Sequence, residues 1–364
     1  MPNLNYGGLQ EVVRALALHQ RRRGHCVTVG CWTNASNHRE GEWELEGGGV
    51  FVSYLRRAAD GTLSHGKMSL LRHLKTQLAA SKPDILHIHN PFNYYAYGVV
   101  AARVAARAKI VDTLHATAML DHPGFGRKAR FKFWAAAMLS DGLVSVSDEC
   151  EAVLRAKYVL PGKKLFVVEN GIDAARFLAV PARSARGEVI FGAVGRMSPE
   201  KNHRILIESF ALVRRNHNNV RLRFLGSGPL EPELRELVRS LGLEQVVTFC
   251  GFSHDVAGFL SGLDVFALSS DSEGLPLSLL EAIASGLPVV ATEVGAVPRI
   301  VQDTGTGWLC APQNTRALVK AMESAISCSD RRERGERGRH VVAAQYSAER
   351  MTRDYDRLYQ NLLQ

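Results

Sequence analysis

Short apolar runs rich in β-branched residues alternate with amphipathic stretches along this chain, and the alternation runs through twice. In the first series, residues 26–31, 50–55, 85–89, 110–114, 143–146 and 165–168 read as strands; in the second, residues 189–194, 221–225, 246–250, 265–268, 288–291 and 308–310 do. Strands spaced by helical segments in this way predict an α/β fold with parallel sheets. Two such series predict two doubly wound, Rossmann-like domains. Length agrees, because 364 residues exceed the ~150 that one domain usually holds. Residues 1–180 are expected to form the first domain and residues 181–345 the second. Residues 346–364 form a terminal segment with a helix over 348–363 that carries Met351, Tyr355, Leu358 and Tyr359 at helical spacing. The linker is expected at 173–187, where periodicity fades. A helix over 9–22 carries Val12, Val13, Leu16 and Ala17 on one face and is expected to stop at Gly24.

The series has one gap. Tyr6-Gly7-Gly8 opens a helix with no strand ahead of it. The first strand of a doubly wound sheet is central, so without it the neighbouring strands lack backbone partners.

Composition narrows the function. Hydrophobic residues at 46% and charged residues at 22% suit a packed globular body. No run approaches the ~20 apolar residues of a membrane span, and Met1–Asn5 lacks the order of a signal peptide, so a cytoplasmic location is expected. The six cysteines are scattered without a C-x-x-C pair, which indicates neither a disulfide framework nor zinc. Residues 1–180 hold 23 Lys+Arg against 15 Asp+Glu, a net of +8 out of the chain's +9. A basic first half suits an anionic partner, and also fits plain solvated charge.

Two segments carry chemistry. In Ser269–Ala282 the run Glu273-Gly274-Leu275-Pro276-Leu277 follows a strand and opens a helix, whose first N–H groups and positive dipole end suit a phosphate. Glu273 and Glu281 flank that anion site and can accept hydrogen bonds from hydroxyls at the two ends of a bound diphosphate sugar; the spacing by itself reads more plainly as an acidic helix start with a surface glutamate. In Phe191–Asn202, Arg196 follows a strand and Lys201 stands at the next helix start. Both lie at strand carboxyl ends, where open α/β sheets bind ligands, and a guanidinium with an ammonium can neutralise a diphosphate without a metal. A surface pair of cations, salt-bridged with Glu200, is the plainer reading.

With these two segments the chain resembles the retaining family 4 glycosyltransferases of the GT-B type. The resemblance extends to Gly7-Gly8, His115, Ser145-Val146-Ser147, Asn170-Gly171-Ile172-Asp173 and Leu225-Gly226-Ser227-Gly228-Pro229. It implies two Rossmann-like domains facing a cleft that holds the active site, a hinge that closes the cleft around the donor, and a last helix crossing back to the first domain. It further implies that Arg196 and Lys201 bind the donor diphosphate, Glu281 the ribose and Glu273 the sugar. The amides of Gly8 and of Leu275–Leu277 would meet phosphate, the base would pack near Gly251, Phe252 and Ser253, and His115 would approach the sugar. The implied activity is metal-independent, hexosyl-type transfer from a UDP- or GDP-sugar to a glycan or lipid-linked acceptor, with no cofactor.

Other signals are weaker. Gly226-Ser227-Gly228 is followed by Glu231 where a dinucleotide fingerprint needs a third glycine, and no P-loop occurs. His87 and His89 suggest a metal, but lack a third ligand in sequence and read as structural. Asn34-Ala35-Ser36 matches a glycosylation acceptor only in a secreted chain. Arg127 to Trp134 mixes four cations with three aromatics, as in a helix lying on an anionic membrane at the inner face of the plasma membrane; a core-packed helix with a basic face has the same pattern. Two rival functions share the pattern: a nucleotide-sugar epimerase, and a non-catalytic binder of nucleotide sugars. No nucleic-acid-binding module is recognisable.

Overall fold

The computed structural model describes residues 7–31, 40–54, 67–89, 99, 103, 107–115, 126–158, 160, 164–178 and 187–364. Two compact units emerge: Met1–Gly171 with Ala348–Gln364, and Ile172–Ser347. The change of unit thus comes at 171/172 rather than at 180/181, because Ile172 is tied into the second unit. Its N–H donates to the Tyr346 carbonyl at 2.8 Å, and it forms a parallel bridge with Ser347. Residues 179–186 of the expected linker, like Asn34-Ala35-Ser36, lie outside the described residues.

In the first unit the described strands are β1 (Thr28–Cys31), β2 (Phe51–Tyr54), β3 (Ile85–His89), β4 (Lys109–Leu114), β5 (Gly142–Ser145) and β6 (Leu165–Val167). They form two parallel sheets, β1-β2 and β3-β4-β5-β6. The helix Gly8–Arg22 buries Val12, Val13, Leu16 and Ala17, and Gly24 takes a left-handed φ of 91° as its N–H caps the Arg21 carbonyl. The helix Ala348–Leu363 packs on Gly8–Arg22, burying Met351, Tyr355 and Leu358, while Arg23 pairs with Asp356.

The second unit holds β7 (Val189–Val194), β8 (Val220–Leu225), β9 (Val247–Phe249), β10 (Val265–Leu268), β11 (Val289–Thr292) and β12 (Gly307–Cys310). They make one parallel sheet in the order β12-β11-β10-β7-β8-β9. The first strand, β7, lies at the centre between β8 and β10. The core centres on Phe191, Leu206, Ile207, Phe210, Leu222 and Phe224, each at most 1% exposed. Burying such a side chain stabilises the fold by roughly 1.5–3 kcal/mol. Gly192 keeps β7 close to Leu263, since a Cβ there would come within 2.3 Å of its side chain.

Candidate functional site

In the second unit the loops leaving the carboxyl ends of β7, β10 and β11 are knitted together, and the sheet order explains why. Winding reverses at β7, with β8 on one side and β10 on the other, and loops that diverge at such a point leave a crevice. After β7 comes a 3-10 turn, Pro199–Lys201, and Asn202 then caps the helix His203–Asn216 by accepting from the Ile205 N–H. Asn202 has a left-handed φ of 43°, a conformation that asparagine tolerates better than most residues. Its side-chain amide donates to Asp271 Oδ1 at 2.9 Å, and the Asp271 N–H donates to the Glu200 carbonyl at 2.9 Å. Lys201 therefore ends the turn instead of starting the helix.

That geometry brings Lys201 to Glu273. Lys201 Nζ donates to Glu273 Oε1 at 2.6 Å, and Ser270 Oγ donates to the same oxygen at 2.6 Å. Both charged side chains are mostly covered. Glu200, the partner in the plainer reading of the sequence, instead accepts from Ser198 Oγ at 2.5 Å. The Lys201 stem runs past Gly195, the residue that precedes Arg196 in the chain. Two cation-bearing positions and a carboxylate thus share one crevice edge. An ammonium has three N–H donors and Glu273 takes one of them, so Lys201 can hold a carboxylate and an anionic oxygen together.

Behind Glu273 the turn is fixed from β11. The Ala296 N–H donates to the Gly274 carbonyl at 3.0 Å, and Thr292 Oγ1 donates to the Ser270 carbonyl at 2.6 Å. The helix Leu277–Ala284 then opens at Pro276 with no side-chain cap, so its first N–H groups are left to an incoming acceptor, and Glu281 follows just over one turn in. Leu275 and Leu277 are buried beneath. Ser270, Asp271, Asn202 and Gly295 were not singled out from sequence; only the contacts between loops reveal them.

The loops after β8 and β9 border the same edge. Gly226 and Gly228 are glycines for a packing reason: a Cβ would come within 2.0 Å of the Gly195 carbonyl and 2.4 Å of the Met197 carbonyl. The Gly226 N–H donates to the Gly251 carbonyl at 2.8 Å. Phe252 beside it is 41% exposed, its ring edge-on to His254. An exposed aromatic on this loop can cover a planar base.

The other sequence candidates fall in the first unit. Gly8 begins the first helix, and Gly7 ahead of it provides no side-chain cap. His115 follows β4 and meets two histidines that read as structural: His89 Nδ1 lies 3.0 Å from His115 Nε2, and the His87 and His89 rings are 3.9 Å apart. The helix Arg127–Leu139 buries Phe133 with Ala136 and Ala137, whereas Phe131 is 64% and Trp134 36% exposed. Phe131 and Trp134 are thus exposed alongside the cations of this helix. Among the described residues no helix is long and apolar enough to cross a membrane.

Burial shapes the titration of these histidines. It pushes His87 down to about 3 and His115 to about 4, and holds His89 well below 6.5, with the neighbouring rings adding to the effect at His87 and His89. In the second unit burial pushes His203 to about 4. Each is neutral in the fold, while the unfolded chain takes up protons near 6.5. Stability is therefore complete above pH 6.5 and falls as pH drops toward 4. One histidine of pKa 4 removes on the order of 2 kcal/mol at pH 5. Urea unfolding at pH 7.5 and at pH 5 should show an earlier midpoint at pH 5; equal midpoints would mean that these rings are not held neutral.

The chain matches the sequence profile of Glycosyl transferases group 1 over residues 179–341, and that of Glycosyltransferase Family 4 over residues 6–176. It belongs to the family 4 glycosyltransferases. This glycosyltransferase is 34% identical over 190 residues to a putative colanic acid biosynthesis glycosyltransferase, WcaL, of Escherichia coli K12, covering 50% of this chain and 47% of that one. The aligned part thus spans about half of that relative. Similarity to the N-acetyl-alpha-D-glucosaminyl L-malate synthase of Bacillus anthracis is 27% over 77% of this chain and 75% of the relative. A UDP-Gal:alpha-D-GlcNAc-diphosphoundecaprenol alpha-1,3-galactosyltransferase of Escherichia coli is 25% identical over 70% of this chain and 69% of its own. In structure, this glycosyltransferase superposes on HepE of Anabaena, solved with UDP and glucose, with a TM-score of 0.82, 19% identity, and coverage of 98% and 96%. The shared fold is GT-B, two Rossmann-like domains of parallel sheet.

Proposed function

We propose that this glycosyltransferase moves a hexose from a nucleoside diphosphate sugar to a hydroxyl of a lipid-linked or cell-envelope glycan, with retention at the anomeric carbon. The observation that carries the reading is the meeting of Lys201, from the loop that also bears Arg196, with Glu273, from the turn ahead of the uncapped helix start at Leu277. Cleaving the donor's anomeric C–O bond sends the electron pair to the diphosphate. Arg196, Lys201 and the N–H groups at the helix start of Leu277 stabilise that growing charge more than they stabilise the bound donor, which lowers the barrier. The acceptor oxygen bonds the anomeric carbon on the face the diphosphate leaves, and its proton goes to the departing phosphate. Glu273 holds the sugar, Glu281 the ribose, Gly251 and Phe252 the base, while Gly8 and His115 act from the first unit, which takes the acceptor. With fixed cations supplying the charge, the reading includes no metal and no cofactor.

Relatives named for colanic acid biosynthesis and for a diphosphoundecaprenol acceptor support the glycan class, and the HepE complex supports UDP. Exposed Phe131 and Trp134 among Arg127, Lys128, Arg130 and Lys132 suit the surface of an anionic cytoplasmic leaflet, where a lipid-linked acceptor would be met.

The test is a panel of UDP-, GDP- and ADP-sugars in EDTA, scored for nucleoside diphosphate release by the wild type and by Arg196→Ala. One donor should be consumed, with release at least tenfold slower in Arg196→Ala. Release untouched by the substitution would remove Arg196 from the site. Free altered sugar formed without acceptor would favour the epimerase, and binding without turnover the non-catalytic binder. In the same preparation, vesicles containing anionic phospholipid should pellet the wild type but not the double variant Phe131→Ser, Trp134→Ser; equal pelleting would take this helix off the membrane.

A further inference from the structure

In the first unit a series of hydrogen bonds, joined by one ring contact, runs from the last helix to His115. Tyr359 Oη lies 2.6 Å from His87 Nδ1, and His87 Nε2 lies 2.7 Å from Thr113 Oγ1. Thr113 Oγ1 in turn lies 3.0 Å from Tyr355 Oη. Strand register explains the meeting, since His89 pairs with Thr113 across β3 and β4, and His87 and His89, two apart, share one face of the sheet. With both nitrogens engaged, the His87 ring is fixed, and the His89 ring packs on it at 3.9 Å. His89 Nδ1 then meets His115 Nε2 at 3.0 Å, with the two rings inclined by only 30°.

A neutral imidazole carries one donor and one acceptor. Between two neutral rings joined by one hydrogen bond, one nitrogen donates and the other accepts, so the bond at Nε2 decides whether the His115 proton sits on Nδ1 or on Nε2. Nε2 being taken, Nδ1 is the His115 nitrogen left for a ligand.

We infer that His89 is a positioning residue for His115: its Nδ1 holds the His115 ring by Nε2 and fixes the single tautomer in which His115 Nδ1 meets a hydroxyl of the donor sugar. The inference rests on the proposed contact of His115 with that sugar. His87, with Tyr359 and Thr113, anchors the stack beneath, which would make the last helix a support of the site as well as of the fold.

The contact uses Nδ1, and that makes it testable with two amides. An asparagine side chain places its amide where His89 Nδ1 stands, whereas a glutamine amide reaches the position of Nε2. The full chain, labelled with 15N at histidine, would be followed by long-range 1H–15N correlation, and turnover by nucleoside diphosphate release from the UDP-, GDP- and ADP-sugar panel. Wild type should show one His115 tautomer. His89→Asn should keep that pattern and a kcat within about threefold of wild type, whereas His89→Gln should give averaged His115 shifts and a kcat roughly tenfold lower at little changed donor KM. His89→Phe, which keeps a ring but no nitrogen, should behave as His89→Gln does. Unchanged His115 shifts and kcat in His89→Gln, with His115→Ala still impaired, would overturn the inference alone. Wild-type turnover by His115→Ala would instead overturn the sugar contact on which the inference stands, and the inference with it.

Discussion

Lys201→Ala is expected to lower kcat/KM for nucleoside diphosphate release by about 10²–10³-fold while the melting temperature falls by only a few degrees. The asymmetry follows from where the ammonium sits. Its ion pair with Glu273 is largely covered, with the two side chains 21% and 10% exposed, so the variant leaves a covered carboxylate without its cation and loses some stability as well. A departing diphosphate, however, gathers charge in the transition state, and a cation already in place stabilises it without reorganising. Glu273 keeps its bond from Ser270 in the variant, so the carboxylate stays put and the loss reports on the ammonium. Steady-state kinetics with the consumed donor would check this. A variant within threefold of wild type would place the leaving group elsewhere.

Gly295→Val is expected to damage fold and activity together. The residue has a left-handed φ of 51°, and a Cβ there would come within 2.3 Å of the Glu273 carbonyl oxygen and 2.7 Å of the Gly274 carbonyl oxygen. Those are backbone atoms of the proposed phosphate turn, so relief requires the turn to move. A left-handed residue with a branched side chain costs at least 1–2 kcal/mol, and overpacking a further ~1–3 kcal/mol. The melting temperature should fall by roughly 10 °C, with donor release reduced to background. Gly305→Ala supplies the control: Gly305 has a similar φ of 63°, but a Cβ there meets nothing within 4 Å. That variant should lose only a little stability and no activity. Equal behaviour of the two variants would show that backbone conformation, and not the approach to Glu273, is what matters at Gly295.

What could be read along the chain followed the physics of burial. Strands β7 and β10 carry apolar residues on both faces because helices cover both faces of the sheet, and such runs stand out without any structure. The last helix declared itself through Met351, Tyr355 and Leu358, which repeat at helical spacing and are buried. The helix Arg331–Gln345 stayed hidden for the opposite reason. It packs through glycine: a Cβ on Gly335 would come within 2.0 Å of the Gly286 carbonyl, and one on Gly338 within 2.0 Å of the Thr306 side chain. Close backbone approach leaves no apolar stripe to detect.

The site divides along the same line. Arg196, Lys201, Glu273 and Glu281 draw attention in the sequence because charged residues beside strand ends and helix starts have a local meaning, and the family resemblance implies roles for them. Local order could not say that Lys201 faces Glu273 instead of Glu200, that Gly295 braces the turn from a third loop, or that His87 and His89 belong with His115. Those facts depend on β7 lying between β8 and β10 and on β3 lying beside β4 in one register. The sequence by itself determined the element types and the charged groups, since periodicity and helix ends are properties of neighbours along the chain. Which loops share a crevice was decided only by strand order, because hydrogen-bonded sheets bring together residues separated by tens of positions.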